Sequence, residues 1–136
     1  MPIQLPDKPF ETSLELLKWL HEVFQKEDYH LRRKYWFPEI EGGIFRKDET
    51  CLEYFQKHGV DRFCLIGGLR IGSGNKISSG NYEFSNSPVL RQTYYLLQSI
   101  SFQDFFMGLA GVNDQLGREA VLSLLEKAIS SLERRK

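Results

Sequence analysis

The chain has 136 residues, of which 41% are hydrophobic and 26% are charged, as is ordinary for a single globular domain. Its 18 Lys and Arg residues balance 18 Asp and Glu residues, which argues against a general nucleic-acid binder because such proteins carry a basic excess. A net charge of zero also gives little repulsion between copies of the chain, which is compatible with a homo-oligomer.

The first predicted elements are an extended lead-in and a helix. Prolines at positions 2, 6 and 9 predict extended backbone over residues 1–11. Thr12 and Glu15 have the spacing of a capping box, which predicts that a helix begins there. Apolar residues then recur at helical spacing to about residue 28, at Leu14, Leu17, Leu20 and Phe24.

The next segment, residues 29–47, is expected to be irregular, with a short strand near 44–45, because Pro38 favours extended geometry in the residue before it. A second capping box, Thr50 with Glu53, then predicts a short helix. The buried side of this helix is expected to consist of Cys51, Leu52 and Phe55.

Residues 60–72 are the strongest strand candidate, because an apolar run leads here into the glycine-rich stretch FCLIGGLRIGSGNK, residues 63–76. Glycine and asparagine favour a turn at 73–76. A returning strand over 77–84 would complete an antiparallel β-hairpin.

Helices dominate the predicted C-terminal half. Ser87 followed by Pro88 predicts a helix start. Ser101 predicts a new start, for a phenylalanine-rich helix over 102–110 that Gly111 would end. The apolar residues of the first of these helices are Val89, Leu90, Tyr94 and Leu97.

The last helix is expected to begin at Asn113 or Asp114. It has a strong apolar face at Val121, Leu122, Leu124, Leu125, Ala128, Ile129 and Leu132. Together the elements predict one helix-rich α+β domain over residues 1–136, with about five helices and a small antiparallel β-sheet.

The glycine-rich stretch begins as a phosphate-binding loop does. The G-x-x-x-x-G-K-[ST] pattern is not met, since Lys76 follows no glycine and no Ser or Thr follows it. The segment after it is expected to be a strand, whereas phosphate loops need a helix there. A hairpin is therefore favoured. A small ligand- or phosphate-binding domain or enzyme that uses the 70–76 loop is an alternative, with Arg70, Ser73 and Lys76 as the candidate ligands.

No residue is assigned a catalytic role, and no cofactor or metal is expected. Cys51 and His58 would lie about 10 Å apart along a helix, too far for a direct hydrogen bond. Glu39 and Glu41 in PEIEGG would share one side of an extended segment, where paired carboxylates bind Mg²⁺ in some proteins. The three histidines are not spaced as metal ligands on one helix or in a known metal motif would be. They are His21, His30 and His58.

Basic and aromatic residues alternate over residues 29–37, YHLRRKYWF. Trp, Tyr and Arg dominate protein-interface hot spots, so the favoured function is a non-enzymatic protein-binding protein, such as an immunity- or antitoxin-type inhibitor or an assembly factor. A local nucleic-acid binder through residues 32–36 is a second alternative, which steep salt dependence would reveal. The expected protein contacts are Arg32, Arg33, Tyr35, Trp36, Glu39, Glu41 and Tyr82.

The sequence also predicts a compartment. The first residues lack the basic stretch followed by an apolar stretch that a secretion signal has. No apolar run approaches the roughly 20 residues that span a bilayer. We therefore expect a cytoplasmic protein with reduced cysteines and no membrane partner.

Overall fold

A computed structural model describes residues 2–32, 48–77 and 87–135. A 3₁₀ turn, Glu27–Tyr29, follows the first helix, and a π-helical turn, Val112–Leu116, continues the fifth. The α-helices of the described residues are α1 (Ser13–Phe24), α2 (Cys51–His58), α3 (Leu65–Ser73), α4 (Pro88–Phe105), α5 (Leu109–Gly111) and α6 (Arg118–Arg134).

Within these ranges, β pairing is limited to single-residue bridges, which join His30 to Phe63 and Thr50 to Lys76. The prediction of an α+β domain with a small antiparallel sheet is therefore wrong. The described part of the chain is helical.

The predicted strand over 60–72 is the main error, because most of it forms the helix α3. The Cys64 thiol acts as the helix cap, since its sulfur accepts a hydrogen bond from the Gly67 amide at 3.3 Å. Gly74 ends the helix in the left-handed conformation, with φ 71°. The returning strand predicted for 77–84 lies almost entirely outside the described residues, as does the short strand predicted near 44–45.

The glycines of α3 are explained by close packing against α1. A Cβ atom on Gly68 would lie 2.5 Å from Leu20 Cδ2 and 2.7 Å from the Phe63 ring. A Cβ atom on Gly72 would overlap Leu16. The helix can approach α1 this closely only without those side chains, so the glycines mark a tight helix–helix contact.

Three helix starts predicted from the sequence are confirmed. Thr12 Oγ1 accepts a hydrogen bond from the Glu15 amide at 3.2 Å. Thr50 and Glu53 form a reciprocal capping box, with both bonds present. The Ser87 hydroxyl caps α4 in the same way. Each cap satisfies an amide that the helix itself leaves unpaired.

The predicted helix break at Ser101 is wrong, because α4 continues through it to Phe105. Ser101 is buried, and its hydroxyl donates a hydrogen bond to the Met107 carbonyl at 2.5 Å. The side chain thus holds the chain where it leaves α4. The helix ends at Phe105, with Phe106 as its C-terminal cap residue, well before the predicted end at Gly111.

The last helix also begins later than predicted, at Arg118 instead of Asn113 or Asp114. Asn113 lies in the π-helical turn and is buried. Its side-chain oxygen accepts from the amide of Leu65, the first residue of α3, at 3.0 Å. Its amide group donates to the Leu31 carbonyl. Asn113 is therefore a long-range cap that joins three segments.

The core lies where α1, α3, α4 and α6 meet, and α6 packs along both α1 and α4. Fully buried side chains from all four helices fill it, among them Leu17, Leu20, Leu69, Leu97, Leu124 and Leu125. Only one side of α4 takes part in this packing, which leaves its opposite side facing solvent.

Candidate functional site

The solvent side of α4 carries large aromatic residues. Tyr95 and Phe102 are seven residues apart, so two helical turns place them on the same face. Their exposed fractions are 64% and 54%. Leu90 and Leu97, which are also seven apart, are fully buried on the other face. Unlike an ordinary amphipathic helix, α4 therefore carries large apolar side chains on both sides.

Phe106 extends this feature just beyond the end of the helix. It is 88% exposed, and its backbone has φ 60° and ψ 28°, the left-handed conformation. Glycine usually occupies this C-terminal position, and a side chain there costs roughly 1 kcal/mol or more. Because the Phe106 ring is so exposed, little packing offsets that strain.

The central part of this side of α4 carries no charge, and the exposed Arg91 lies one turn before Tyr95. The twelve residues 92–103, QTYYLLQSISFQ, contain no Asp, Glu, Lys or Arg. Asp104, at the edge of the helix, is paired with Lys127 of α6. We call the exposed residues between positions 92 and 106 the aromatic face of α4, and they are Gln92, Tyr95, Ser99, Phe102, Gln103 and Phe106.

The exposed sides of the other long helices are charged instead. Lys18 of α1 lies 3.6 Å from Glu133 of α6. His21 of α1 lies 3.1 Å from Glu126 of α6. Such charges keep a surface hydrated, and exposed aromatic patches on a single chain usually mark interaction sites. The aromatic face of α4 is thus the candidate contact surface.

In the 70–76 segment, which the sequence offered as a ligand site, the polar side chains of Arg70 and Ser73 bond within the chain. The Arg70 side chain is fully buried, and its guanidinium donates to Asn75 Oδ1 at 2.6 Å and to the Lys76 carbonyl at 2.8 Å. Ser73 is buried and donates to the Arg70 carbonyl. Burial lowers the pKa of Arg70 from its ordinary value. Arg70 and Ser73 lie together, but their polar groups bond within the chain, and only Lys76 is exposed.

An apolar cleft of about 600 Å³ lies elsewhere, between the N-terminal segment and α1. Its walls include Phe10, Trp19 and Tyr29. Lys26 lies over the Tyr29 ring, 5.4 Å from its centre. A small ligand would find an open cleft with aromatic walls there, outside the 70–76 loop that the sequence offered as an alternative site.

Arg32, from the basic-aromatic stretch, is exposed, but its guanidinium is engaged with the protein. It donates from Nε to the Asp114 carbonyl at 3.0 Å and from a second nitrogen to the Gln115 carbonyl. It therefore holds the last carbonyls of the π-helical turn. The other predicted contacts lie outside the described residues, at Arg33, Tyr35, Trp36, Glu39, Glu41 and Tyr82, so their role stays a prediction.

The two cysteines are poorly suited to nucleophilic chemistry. Burial raises the pKa of the Cys51 thiol to about 12 and that of the Cys64 thiol to about 12. Both stay protonated at neutral pH, whereas the reactive form is the thiolate. In the described ranges, no cluster of three or more His, Cys, Asp or Glu side chains is placed to hold a metal ion.

The side chain of His30 has a structural role, because it is hydrogen-bonded to Asn113. Its Nε2 lies 2.7 Å from Asn113 Oδ1. That oxygen also accepts from the Leu65 amide, so His30 must donate. Burial lowers the pKa of His30, and nearby Arg118 and Arg32 lower it further, against the opposing hydrogen bond to Asn113. The imidazole is therefore held neutral.

Sequence reasoning missed the aromatic face because it divided α4 at Ser101. That division assigned Phe102 and Phe106 to a separate helix. A continuous helix from Pro88 would have shown Tyr95 and Phe102 opposite Leu90 and Leu97, since each pair is seven residues apart. The signal was thus present, but which stripe faces the core depends on the other helices.

None of the helices among the described residues combines the length and the apolar character needed to cross a membrane. No protein-family model, curated protein or solved structure matches the chain.

Proposed function

We propose that this chain is a non-enzymatic protein-binding protein, and that the aromatic face of α4 is its contact surface. The observation that carries the proposal is Phe106, an 88% exposed ring held in a left-handed backbone conformation. Strain of this kind is kept where it serves a function. Together with Tyr95 and Phe102, Phe106 offers the type of side chain that anchors interfaces.

The physical basis is the burial of aromatic surface. An aromatic ring that enters a partner's pocket commonly accounts for about 2 kcal/mol or more of binding free energy. The neutral surroundings of Tyr95 and Phe102 need no charged partner and incur little desolvation cost on contact. Such a surface binds by shape, which fits a function that leaves no sequence motif.

An immunity- or antitoxin-type inhibitor and an assembly factor are two forms of this proposed function, and they differ in what they bind. A nucleic-acid partner is disfavoured for this face, because residues 92–103 have no cation to neutralise phosphates and Arg91 borders the face as a single positive charge. Arg32, the described member of the basic-aromatic stretch, already bonds to carbonyls of the chain.

The proposal is tested by capture of binding partners from a native lysate at low and at high salt. Wild type is compared with Phe102→Glu, which puts a charge into the aromatic face. Ser130→Glu, at an exposed position of α6, is the matched control because it adds the same charge to another helix surface. Mass spectrometry and nucleic-acid staining identify what each chain retains.

We expect wild type and Ser130→Glu to retain a protein in stoichiometric amount at both salt concentrations. The retained protein can be another copy of the same chain. We expect Phe102→Glu to lose it. Equal retention by all three chains, or retention of nucleic acid alone that disappears at high salt, contradicts the proposal.

A further inference from the structure

We propose that the protein bound at the aromatic face of α4 is a second copy of this chain, with the two α4 helices antiparallel about a two-fold axis beside Ser99. This inference rests on the proposed function, because it names the partner of the same surface. It is carried by the spacing of the exposed residues, by their charge and by their area.

The spacing is self-complementary. Tyr95 lies four residues before Ser99, and Phe102 lies three residues after it. In an antiparallel pair that crosses at Ser99, Tyr95 of each copy therefore faces Phe102 of the other. This is the reciprocal contact that a two-fold interface requires. Phe106 would then reach the first turn of the other helix, near Arg91.

The small side chain of Ser99 suits the crossing point. It is exposed and lies between the two rings of the stripe. Packed helices lie roughly 8–10 Å apart, and the shorter distances need small residues at the contact. Two serines at the axis allow the helices to approach while the rings of Tyr95 and Phe102 close over each other on either side.

The charge pattern permits this pairing. In an antiparallel two-fold pair, only groups near the axis meet their own copies, and groups farther out meet different residues. Residues 92–103 contain no Asp, Glu, Lys or Arg, so no like charges meet at the axis beside Ser99. The exposed Arg91 would lie opposite Phe106 of the other copy, where a guanidinium can stack on an aromatic ring. The net charge of zero leaves no long-range barrier to association.

The exposed area is on the right scale. From exposed fractions of 64%, 54% and 88%, Tyr95, Phe102 and Phe106 expose roughly 400 Å² in each copy. Two copies thus supply about 800 Å² from the rings alone, half of the roughly 1,600 Å² that a standard interface buries. The neutral neighbours, Gln92 and Gln103 among them, extend the contact on both sides.

The test uses a single introduced thiol. Helices about 8–10 Å apart, with Cα atoms about 2.3 Å from each axis, place facing Cα atoms roughly 3.4–5.4 Å apart. That range overlaps the span of about 4.4–6.8 Å that a disulfide needs. Ser99→Cys should therefore cross-link to itself when oxidised glutathione is added. Native Cys51 and Cys64 are buried and do not compete.

Ser130→Cys is the matched control, because it places an equally exposed thiol on α6. We expect Ser99→Cys to form covalent dimer at least about tenfold faster than Ser130→Cys, since only the former holds its thiols together. Sedimentation of the wild-type chain from about 1 to 100 µM should show a monomer–dimer equilibrium. The Phe102→Glu variant should remain monomeric over that range.

A wild-type chain that stays monomeric overturns the inference, and so does equal cross-linking of the two cysteine variants. The proposed function is judged separately. If the chain is monomeric but loses a different captured protein upon Phe102→Glu, the contact surface stands and its partner is another protein. If Phe102→Glu changes neither self-association nor capture, both proposals fail.

Discussion

The outer surfaces of α4 and α6 differ although the helices are alike in other ways. They have 18 and 17 residues and pack against each other. The exposed side of α6 carries charges such as Glu119 and Glu126, and the exposed side of α4 carries Tyr95 and Phe102. Burial of the inner faces explains why both helices form, but it places no demand on the outer faces.

The difference is the one that the proposed function predicts. Charged side chains keep α6 hydrated, and its exposed ion pairs add little stability. The exposed surface of these aromatic rings adds nothing to the stability of the folded chain, and Phe106 is also held in a strained conformation. The surface of α4 is thus suited to a contact that lies outside the isolated chain.

The largest effect is expected where the two sides of α4 are compared. Leu97→Ala removes a fully buried side chain and should lower the free energy of unfolding by about 2–5 kcal/mol. Tyr95→Ala, on the outer face, should change it by less than about 0.5 kcal/mol. Urea unfolding measures both, at protein concentrations low enough to keep copies apart. Similar losses for the two variants would show that Tyr95 belongs to the core.

A charge-swap pair tests the aromatic face more directly. One variant carries Tyr95→Lys with Phe102→Lys, and the other carries Tyr95→Glu with Phe102→Glu. Alone, each should associate with itself at least about 30-fold more weakly than wild type does, because like charges face each other. Mixed, the two should bind about tenfold more tightly than either binds itself. Analytical ultracentrifugation distinguishes these cases, and a mixture that stays monomeric contradicts the antiparallel register.

Phe106→Gly should separate stability from association. Glycine adopts the left-handed conformation without strain, so the free energy of unfolding should rise by about 0.5–1 kcal/mol. Association should weaken about tenfold because a ring is lost from the contact. Gln103→Gly, inside the exposed last turn of α4, should instead destabilise the chain by about 0.5–1 kcal/mol. If Phe106→Gly is also destabilising, the ring supports the fold.

The smallest effect concerns His30, beside the start of α6. Its pKa is below the ordinary value of 6.5 in the folded chain, so the unfolded chain binds the extra proton as the pH falls. The stability that neutral His30 contributes is full above pH 6.5 and is lost as the pH falls through its folded pKa. His30→Gln should therefore lose less stability than wild type between about pH 7.5 and pH 5. Parallel losses in urea titrations would contradict this.

The sequence predicted the elements whose cause is local. Thr12, Thr50 and Ser87 cap helices through bonds to residues three positions away, so each start is visible in a window of a few residues. The apolar face of α6 was visible for the same reason, because seven positions at helical spacing allow one interpretation.

The errors arose where the cause is distant. The Ser101 pattern has the form of a helix start, but the buried hydroxyl bonds to the Met107 carbonyl and the helix continues. Asn113 was expected to begin a helix, yet it caps α3, 48 residues earlier in the chain. A short pattern does not say which partner will be near once the chain has folded.

For the candidate site, too, one part could be predicted from the sequence and another part could not. Its residues could be placed on one helix stripe from the spacing of Tyr95 and Phe102 alone. That this stripe faces solvent follows from the packing of the other side of α4 against α1, α3 and α6. The exposure of Phe106 further depends on the end of α4, which the sequence misplaced.

By itself the sequence determined the helix caps, the apolar stripe of α6 and the neutrality of residues 92–103, because these depend on neighbours along the chain. Tertiary structure decided that residues 65–73 form a helix, because an apolar run of that length suits a strand equally well. The glycine at position 68 is explained only by the close contact of this helix with Leu20. Tertiary structure also decided which stripe of α4 is buried. Both outcomes depend on packing between segments far apart in the chain, which local patterns do not encode.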